Sequence, residues 1–326
     1  MLRKNKVLFF GPFPDPLTGQ SISFRQAYLS FNQKKLLFDT NKFKKSKALN
    51  SIFCLITLPF VFVTNSFDKV YFTSSRSSLG FLKDFQLLVL SKIFRKKVIN
   101  HLHGADFLEF YSNSGLLKKI IYWSYNKINL SIVLLPSMIN QYSDFKKMKI
   151  EVLSNCYSLE YLNSKVTFFQ KQKQIVFLSN LIYSKGIFIF LKAAEDILNQ
   201  NNKVIVKIAG KPMSDSIMSG KTLKSRFETI SENLKNKFPN RFFYLGIVRG
   251  KQKKELLRNS SIYILPTFYK TEAFPISIIE AMYFGNVIIT TDHNYLKDIV
   301  SKKNGFLCKP KSVNDLVNKT LLLLEN

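Results

Sequence analysis

Acidic residues are scarce in this chain: 21 Asp and Glu face 49 Lys and Arg, for a formal net charge of +28 over 326 residues. A balance of that sign suits a polyanionic partner, either nucleic acid or an anionic membrane surface. The excess is shared almost evenly between the two halves, so it reads as a bias toward Lys, Asn, Ile and Phe rather than one basic patch, and no nucleic-acid motif accompanies it. Cysteine is sparse too. Cys54, Cys156 and Cys308 are far apart and lack metal-ligand spacing, which argues against a disulfide framework, indicates no metal site and leaves free thiols in a reducing compartment as the expectation. Long apolar runs are missing. The longest, 52–63, contains Thr57 and Pro59, whereas a membrane span needs about 20 apolar residues; it is read as a buried helix, with membrane contact as the lesser alternative. At the start, the basic Met-Leu-Arg-Lys-Asn-Lys6 precedes an apolar run at 7–10 that Gly11-Pro12 ends, too short for a secretory signal. The expected location is the cytoplasm, with peripheral contact to the inner face of the cytoplasmic membrane left open.

Hydrophobic residues make up 46% of the chain, enough for two ordinary cores, and the length suits two domains of about 150 residues each. They are expected at 1–165 and 166–326, with a polar linker over 163–174 that carries Lys165, Lys171 and Lys173. Short β-branched and aromatic runs read as strands at 7–10, 69–73, 128–135, 150–156, 175–179, 204–209, 242–245 and 261–266. Helical periodicity intervenes at 22–31, 81–97, 187–198 and 313–324. Such alternation is the pattern of doubly wound α/β domains. In the helix at 81–97, Phe85, Leu88, Val89 and Ile93 can share a face while Lys92, Arg95, Lys96 and Lys97 gather at the end. The stretch 116–123 repeats that mixture. A packed core helix whose basic end suits the dipole fits both, and so does a helix resting on an anionic bilayer.

Four stretches carry candidate chemistry. Thr18-Gly19-Gln lies in a loop before a helix, where a glycine lets backbone approach a phosphate, although an ordinary turn has the same composition. His101-Leu-His103-Gly104 ends a strand, the place where ligands sit in parallel α/β sheets; His103 is the candidate, and His101 is read as structural and facing the opposite side. Lys185-Gly186 opens a helix, where a cation opposes the dipole unless an anion is near. The last stretch is Glu272-Ala-Phe-Pro-Ile-Ser-Ile-Ile-Glu280-Ala-Met-Tyr-Phe-Gly285, followed by a β-branched run. Pro275 fits a first helical turn and Gly285 a left-handed closing residue. Glu272 then precedes the helix and Glu280 lies about one turn inside it.

Glu-Ala-Phe-Pro, then Glu-Ala-Met, Gly and a β-strand closely resembles the donor-site motif of family 4 glycosyltransferases. The resemblance extends along nearly the whole chain and implies a GT-B fold: two Rossmann-like, doubly wound domains facing a cleft, here with a shortened C-terminal end. It implies metal-independent, retaining transfer of a sugar from a nucleoside diphosphate sugar, with no cofactor, to a glycan. A lipid-linked glycan suits the basic amphipathic helices, as in capsule, exopolysaccharide or lipopolysaccharide synthesis. By this resemblance His103 and Glu272 contact the transferred sugar. Gly19 and Lys185 meet the diphosphate, backbone at Phe274, Pro275 and Ile276 holds the sugar, and Glu280 takes the ribose hydroxyls. Three departures stand out: a single glycine at the Gly19 loop, Asn180 where an Arg is common, and Ser154-Asn155-Cys156 in place of Pro-Asn-Gly. They keep two alternatives in view, a nucleotide-sugar epimerase and an inactive protein that binds another glycosyltransferase.

Overall fold

The structure, a computed structural model, describes residues 6–15, 17–43, 46–157 and 171–325. The chain divides into two compact units, Met1–Asn155 and Cys156–Asn326. Of the expected linker, 163–170 lies outside the described residues, and 172–174 already belongs to a strand.

In the first unit the elements run β1 (Val7–Gly11), α1 (Gly19–Ser30), β2 (Lys35–Asp39), α2 (Lys47–Thr64), β3 (Lys69–Thr73), α3 (Ser78–Ile93), β4 (Lys97–His101), α4 (Phe107–Ser112), α5 (Leu117–Tyr125), β5 (Leu130–Val133) and β6 (Ile150–Val152). The strands form one parallel sheet in the order β2-β1-β3-β4-β5-β6. Since β1 and β3 are neighbours, the chain winds outward in both directions from their junction, and right-handed crossovers then put α1 on one face and α2, α3 and α5 on the other. The aromatic packing agrees. Phe9 and Tyr71 meet Phe24 of α1, whereas Phe10 meets Phe38, which meets Phe53 of α2.

Two expectations fail here. The run at 52–63 forms most of α2, but this helix is not buried: Cys54, Leu58 and Phe62 face the core while Leu49, Ile52, Leu55, Ile56, Phe60 and Val63 face outward. An apolar helix on the outer side of a sheet can bury only one stripe, and this one continues its apolar character around the other. In α3 the inward residues are Phe81, Leu87 and Leu88, with Ile93 exposed. The helix also starts three residues earlier than read, capped by Ser77, and Lys97 begins β4.

The second unit repeats the plan with β7 (Gln172–Leu178), α6 (Ile187–Gln200), β8 (Ile205–Ala209), α7 (Gly220–Lys237), β9 (Phe242–Tyr244), α8 (Gly250–Asn259), β10 (Ser260–Leu265), α9 (Ile276–Tyr283), β11 (Val287–Thr291), β12 (Gly305–Cys308) and α10 (Val313–Glu325). Its parallel sheet has the order β12-β11-β10-β7-β8-β9. The winding direction reverses between β7 and β10. Outside the carboxyl ends of those two strands lies the crevice where such sheets bind ligands. Each unit is a doubly wound α/β domain, as the strand and helix alternation predicts.

Candidate functional site

Both crossovers that leave the β7–β10 junction carry candidate residues. After β7 the chain makes a short 3-10 turn, Tyr183–Lys185, and Gly186 adopts φ 79° before α6 begins. A β-carbon at 186 would lie 2.0 Å from the Pro266 carbonyl oxygen, so glycine is required both for the left-handed backbone and for the close approach of the β10 exit. The Ser184 carbonyl accepts from the Phe268 N–H at 2.7 Å. Ser184 in turn donates its N–H and hydroxyl to Asp215, which also accepts from Ile217 and Met218 N–H. Burial pushes the Asp215 carboxyl up, but these hydrogen bonds outweigh it and hold the group below the usual range. Asp215 thus anchors the turn that presents Lys185.

After β10, the chain loops through Thr267 and Tyr269 to Glu272. The Lys185 Nζ lies 3.3 Å from the Glu272 Oε2. The mismatch between a lysine and the helix start behind it is therefore relieved by a carboxylate of the protein itself. The Glu272 loop is held from a third strand. After β11, Asn294 adopts φ 48° and donates its Nδ2 to the Lys270 and Glu272 carbonyls at 2.9 Å each, while His293 Nε2 donates to the Tyr269 carbonyl at 3.0 Å. A non-glycine residue in the left-handed region carries strain that these bonds offset.

The α9 helix then starts after Pro275, which occupies the cap position rather than the first turn, and Gly285 closes it at φ 70°. No side chain caps the start of α9 or of α6. Their first N–H groups, with the positive dipole ends, therefore face the crevice without a protein acceptor from a cap. In the first turn Ser277 bonds the Tyr263 hydroxyl at 2.7 Å, which also reaches the Leu178 carbonyl at 3.0 Å, tying α9 to β10 and β7. Glu280 is buried and pairs with Lys253 of α8, Nζ to Oε2 2.5 Å. Sequence reading missed Lys253. It is one of several lysines in a polar helix, and only the fold shows that it faces the glutamate.

Lys185, Glu272, Pro275, Phe274, Ile276 and Glu280 are thus gathered at one end of one sheet. Gly19 and His103 belong to the first unit. Gly19 is the first residue of α1, which Thr18 caps through a reciprocal pair with Ser21. A β-carbon there would meet nothing within 4 Å, so open space adjoins it. His103 follows β4. Its two ring nitrogens are buried without a hydrogen-bond partner among the described residues, and burial, His101 and Arg76 together hold its pKa well below the ordinary range. Arg76 lies across Gly104, where a β-carbon would fall 2.3 Å from its Cζ, and pairs with Asp106 at 2.5 Å. His101 does not face away: the two imidazoles lie 4.0 Å apart, because residues two apart in an extended chain share a side. Its Nδ1 pairs with the Tyr71 hydroxyl at 2.6 Å.

Comparison with known proteins bears on this arrangement. Residues 161–326 match the family model "Glycosyl transferases group 1". Over 157 residues the chain is 27% identical to N,N'-diacetylbacillosaminyl-diphospho-undecaprenol alpha-1,3-N-acetylgalactosaminyltransferase of Campylobacter jejuni subsp. jejuni, covering 48% of this chain and 36% of that protein. Over 231 residues it is 25% identical to poly(ribitol-phosphate) alpha-N-acetylglucosaminyltransferase of Staphylococcus aureus, covering 70% and 43%. The chain therefore spans less than half the length of these relatives. The fold is that of Anabaena HepE in complex with UDP, with TM-score 0.69 and 16% identity over 98% of this chain and 90% of that one.

Proposed function

The chain belongs to the group 1 glycosyl transferases, and we propose that it transfers a sugar from a nucleoside diphosphate sugar to a hydroxyl of a glycan. The observation that carries this reading is the 3.3 Å pairing of Lys185 with Glu272 at the reversal point of the second sheet, between two uncapped helix starts. A nucleoside diphosphate sugar supplies the matching chemistry: anionic phosphates for Lys185 and the α6 and α9 N-termini, hydroxyls for the two glutamates.

When the bond from the anomeric carbon to the diphosphate oxygen breaks, negative charge collects on the departing diphosphate. Lys185 and the helix starts stabilise that charge without a metal, and one well-placed donor of this kind is worth about 10²- to 10³-fold in rate. Glu272 and the backbone at Phe274, Pro275 and Ile276 hold the sugar. Glu280, oriented by Lys253, takes the ribose hydroxyls. By the family 4 resemblance alone, His103 is assigned to the sugar and the backbone at Gly19 to the diphosphate. Retention of anomeric configuration follows the family 4 resemblance. The name of the Campylobacter relative, which specifies a diphospho-undecaprenol, supports a lipid-linked acceptor, and with it a role in capsule, exopolysaccharide or lipopolysaccharide synthesis at the cytoplasmic face of a membrane.

A thermal-shift screen of nucleotide sugars tests the donor assignment, beginning with UDP sugars because HepE is a UDP complex. Stabilisation by one nucleotide class, lost in Lys185→Ala, supports it. Stabilisation by none in the wild-type chain overturns it.

A further inference from the structure

The helices α2, α3 and α5 form one layer over the first sheet. Gln86 of α3 donates to the Leu55 carbonyl of α2 at 2.8 Å, and Phe85 of α3 packs on Trp123 of α5 with centroids 6.2 Å apart. The outer side of this layer is apolar. Along α2, Leu49, Ile52, Ile56, Phe60 and Val63 recur at intervals of three and four, a stripe about 21 Å long at 1.5 Å rise per residue. Phe60 is 66% and Val63 72% exposed. Leu82 of α3 and Trp123 of α5 are also exposed, and Leu116, just before α5, is 95% exposed.

Charge on the layer has one sign. Asp84 is the only acidic residue in the three helices, and it is buried beneath them against Ser75 and Tyr125. Lys92 and Lys127 both lie over the Trp123 ring, 4.9 and 5.9 Å from its centroid. Lys118 and Lys119 follow Leu116 in α5. An apolar stripe with an interfacial tryptophan and a basic rim is the composition of helices that lie in the plane of a bilayer surface. The exposed Glu109 of α4 and Asp144 lie on the far side of α5; an isolated apolar patch would suit many protein partners, whereas the lysines along α3 and α5 select an anionic one.

We infer that this face docks the protein on a bilayer containing anionic phospholipid. The α2 stripe enters the acyl boundary, Trp123 lies at headgroup level, and the surrounding lysines meet the phosphates. Among the described residues no helix is long and apolar enough to cross a membrane, and the contact inferred here is a peripheral one. The inference deepens the reading of a lipid-linked acceptor and rests on it for its biological purpose, but its residues are all in the first unit and none of them is assigned to the donor.

Trp123 is the sole tryptophan, so its fluorescence reports the event directly. The full chain is mixed at low salt with vesicles of phosphatidylcholine alone or with phosphatidylglycerol. Co-sedimentation several-fold stronger with phosphatidylglycerol, together with a blue shift of Trp123 emission, is the expected result. Phe60→Ser with Val63→Ser should weaken binding at least 10-fold at unchanged circular dichroism and melting temperature, whereas Leu322→Ser in the second unit should leave it unchanged. Lys118→Glu with Lys119→Glu should abolish the preference for phosphatidylglycerol. No vesicle binding at low salt overturns the inference, and so does a wild-type dimer in sedimentation velocity that Phe60→Ser with Val63→Ser dissociates while vesicles go unbound. UDP-sugar thermal shifts run in parallel keep the two readings apart, because vesicle binding without nucleotide binding would sink the proposed function and leave the docking face intact.

Discussion

The Lys185 ammonium and the Glu272 carboxylate meet at 3.3 Å, although they come from crossovers that leave different strands. Each is largely buried, and each finds in the other the counter-charge its position demands. A ligand that brings phosphates for the lysine and hydroxyls for the glutamate would engage the two together.

Glu272→Gln and Lys185→Ala are each expected to lower sugar transfer by about 10²-fold or more, measured as kcat/KM with the donor found by thermal shift. Because the two side chains touch, the double variant should lose less than the product of the single losses. Near-normal turnover in both single variants would reject the site.

Lys253→Met removes one partner of the buried Lys253–Glu280 ion pair, a change that costs up to about 3–5 kcal/mol. Urea denaturation measures the loss. Adding Glu280→Gln should recover much of the stability while leaving nucleotide affinity weak, since the carboxylate proposed for the ribose is then gone.

Gly186→Ala is expected to destabilise the second unit by more than about 1 kcal/mol, because alanine is disfavoured at φ 79° and its methyl would collide with the Pro266 carbonyl. Hydrogen exchange should show the loosening concentrated in the turn around Lys185 and in the loop from Pro266 to Glu272. Unchanged stability would mean that the β7 and β10 exits are not in contact.

Acid should weaken the first unit. Burial pushes the His101 pKa down from 6.5 to about 3, and His103 moves the same way. Below about 6.5 the unfolded chain binds protons that these folded imidazoles do not, so their contribution is present above that pH and is lost as pH falls toward 3. Asp84 has the opposite sign: burial raises its carboxyl from 3.8 to about 6, so its contribution is present below about 3.8 and is lost as pH rises through about 6. With two imidazoles against one carboxyl, melting temperature should fall between pH 6.5 and 4. His101→Gln should flatten that slope by up to about 1.4 kcal/mol per pH unit, and an unaltered slope would show that His101 is not buried neutral.

The architecture was legible because strand and helix periods alternate cleanly, and because the run from Glu272 to Gly285 carries its own punctuation in Pro275 and Gly285. β2 was passed over, since Lys35–Asp39 is short and lies on the edge of its sheet. The exposed side of α2 could not be read from composition: a helix apolar all round looks buried whichever side meets solvent. The pairing of Lys253 with Glu280, and the clamp of His293 and Asn294 on the Glu272 loop, are tertiary relations between polar residues with no local period. The misplacement of His101 had a different origin, because the period of two that puts it beside His103 was present in the sequence.

The bonds from His293 and Asn294 to the carbonyls of Tyr269, Lys270 and Glu272 restrict how this half of the molecule can be recombined. Segments exchanged with a relative at a crossover point between Glu272 and Asn294 would separate a loop from its fastening, even though every strand kept its partners. A chimera that carries both pieces from one parent should keep the Glu272 loop fastened. The unit to exchange is therefore the pair of strand exits, carried together.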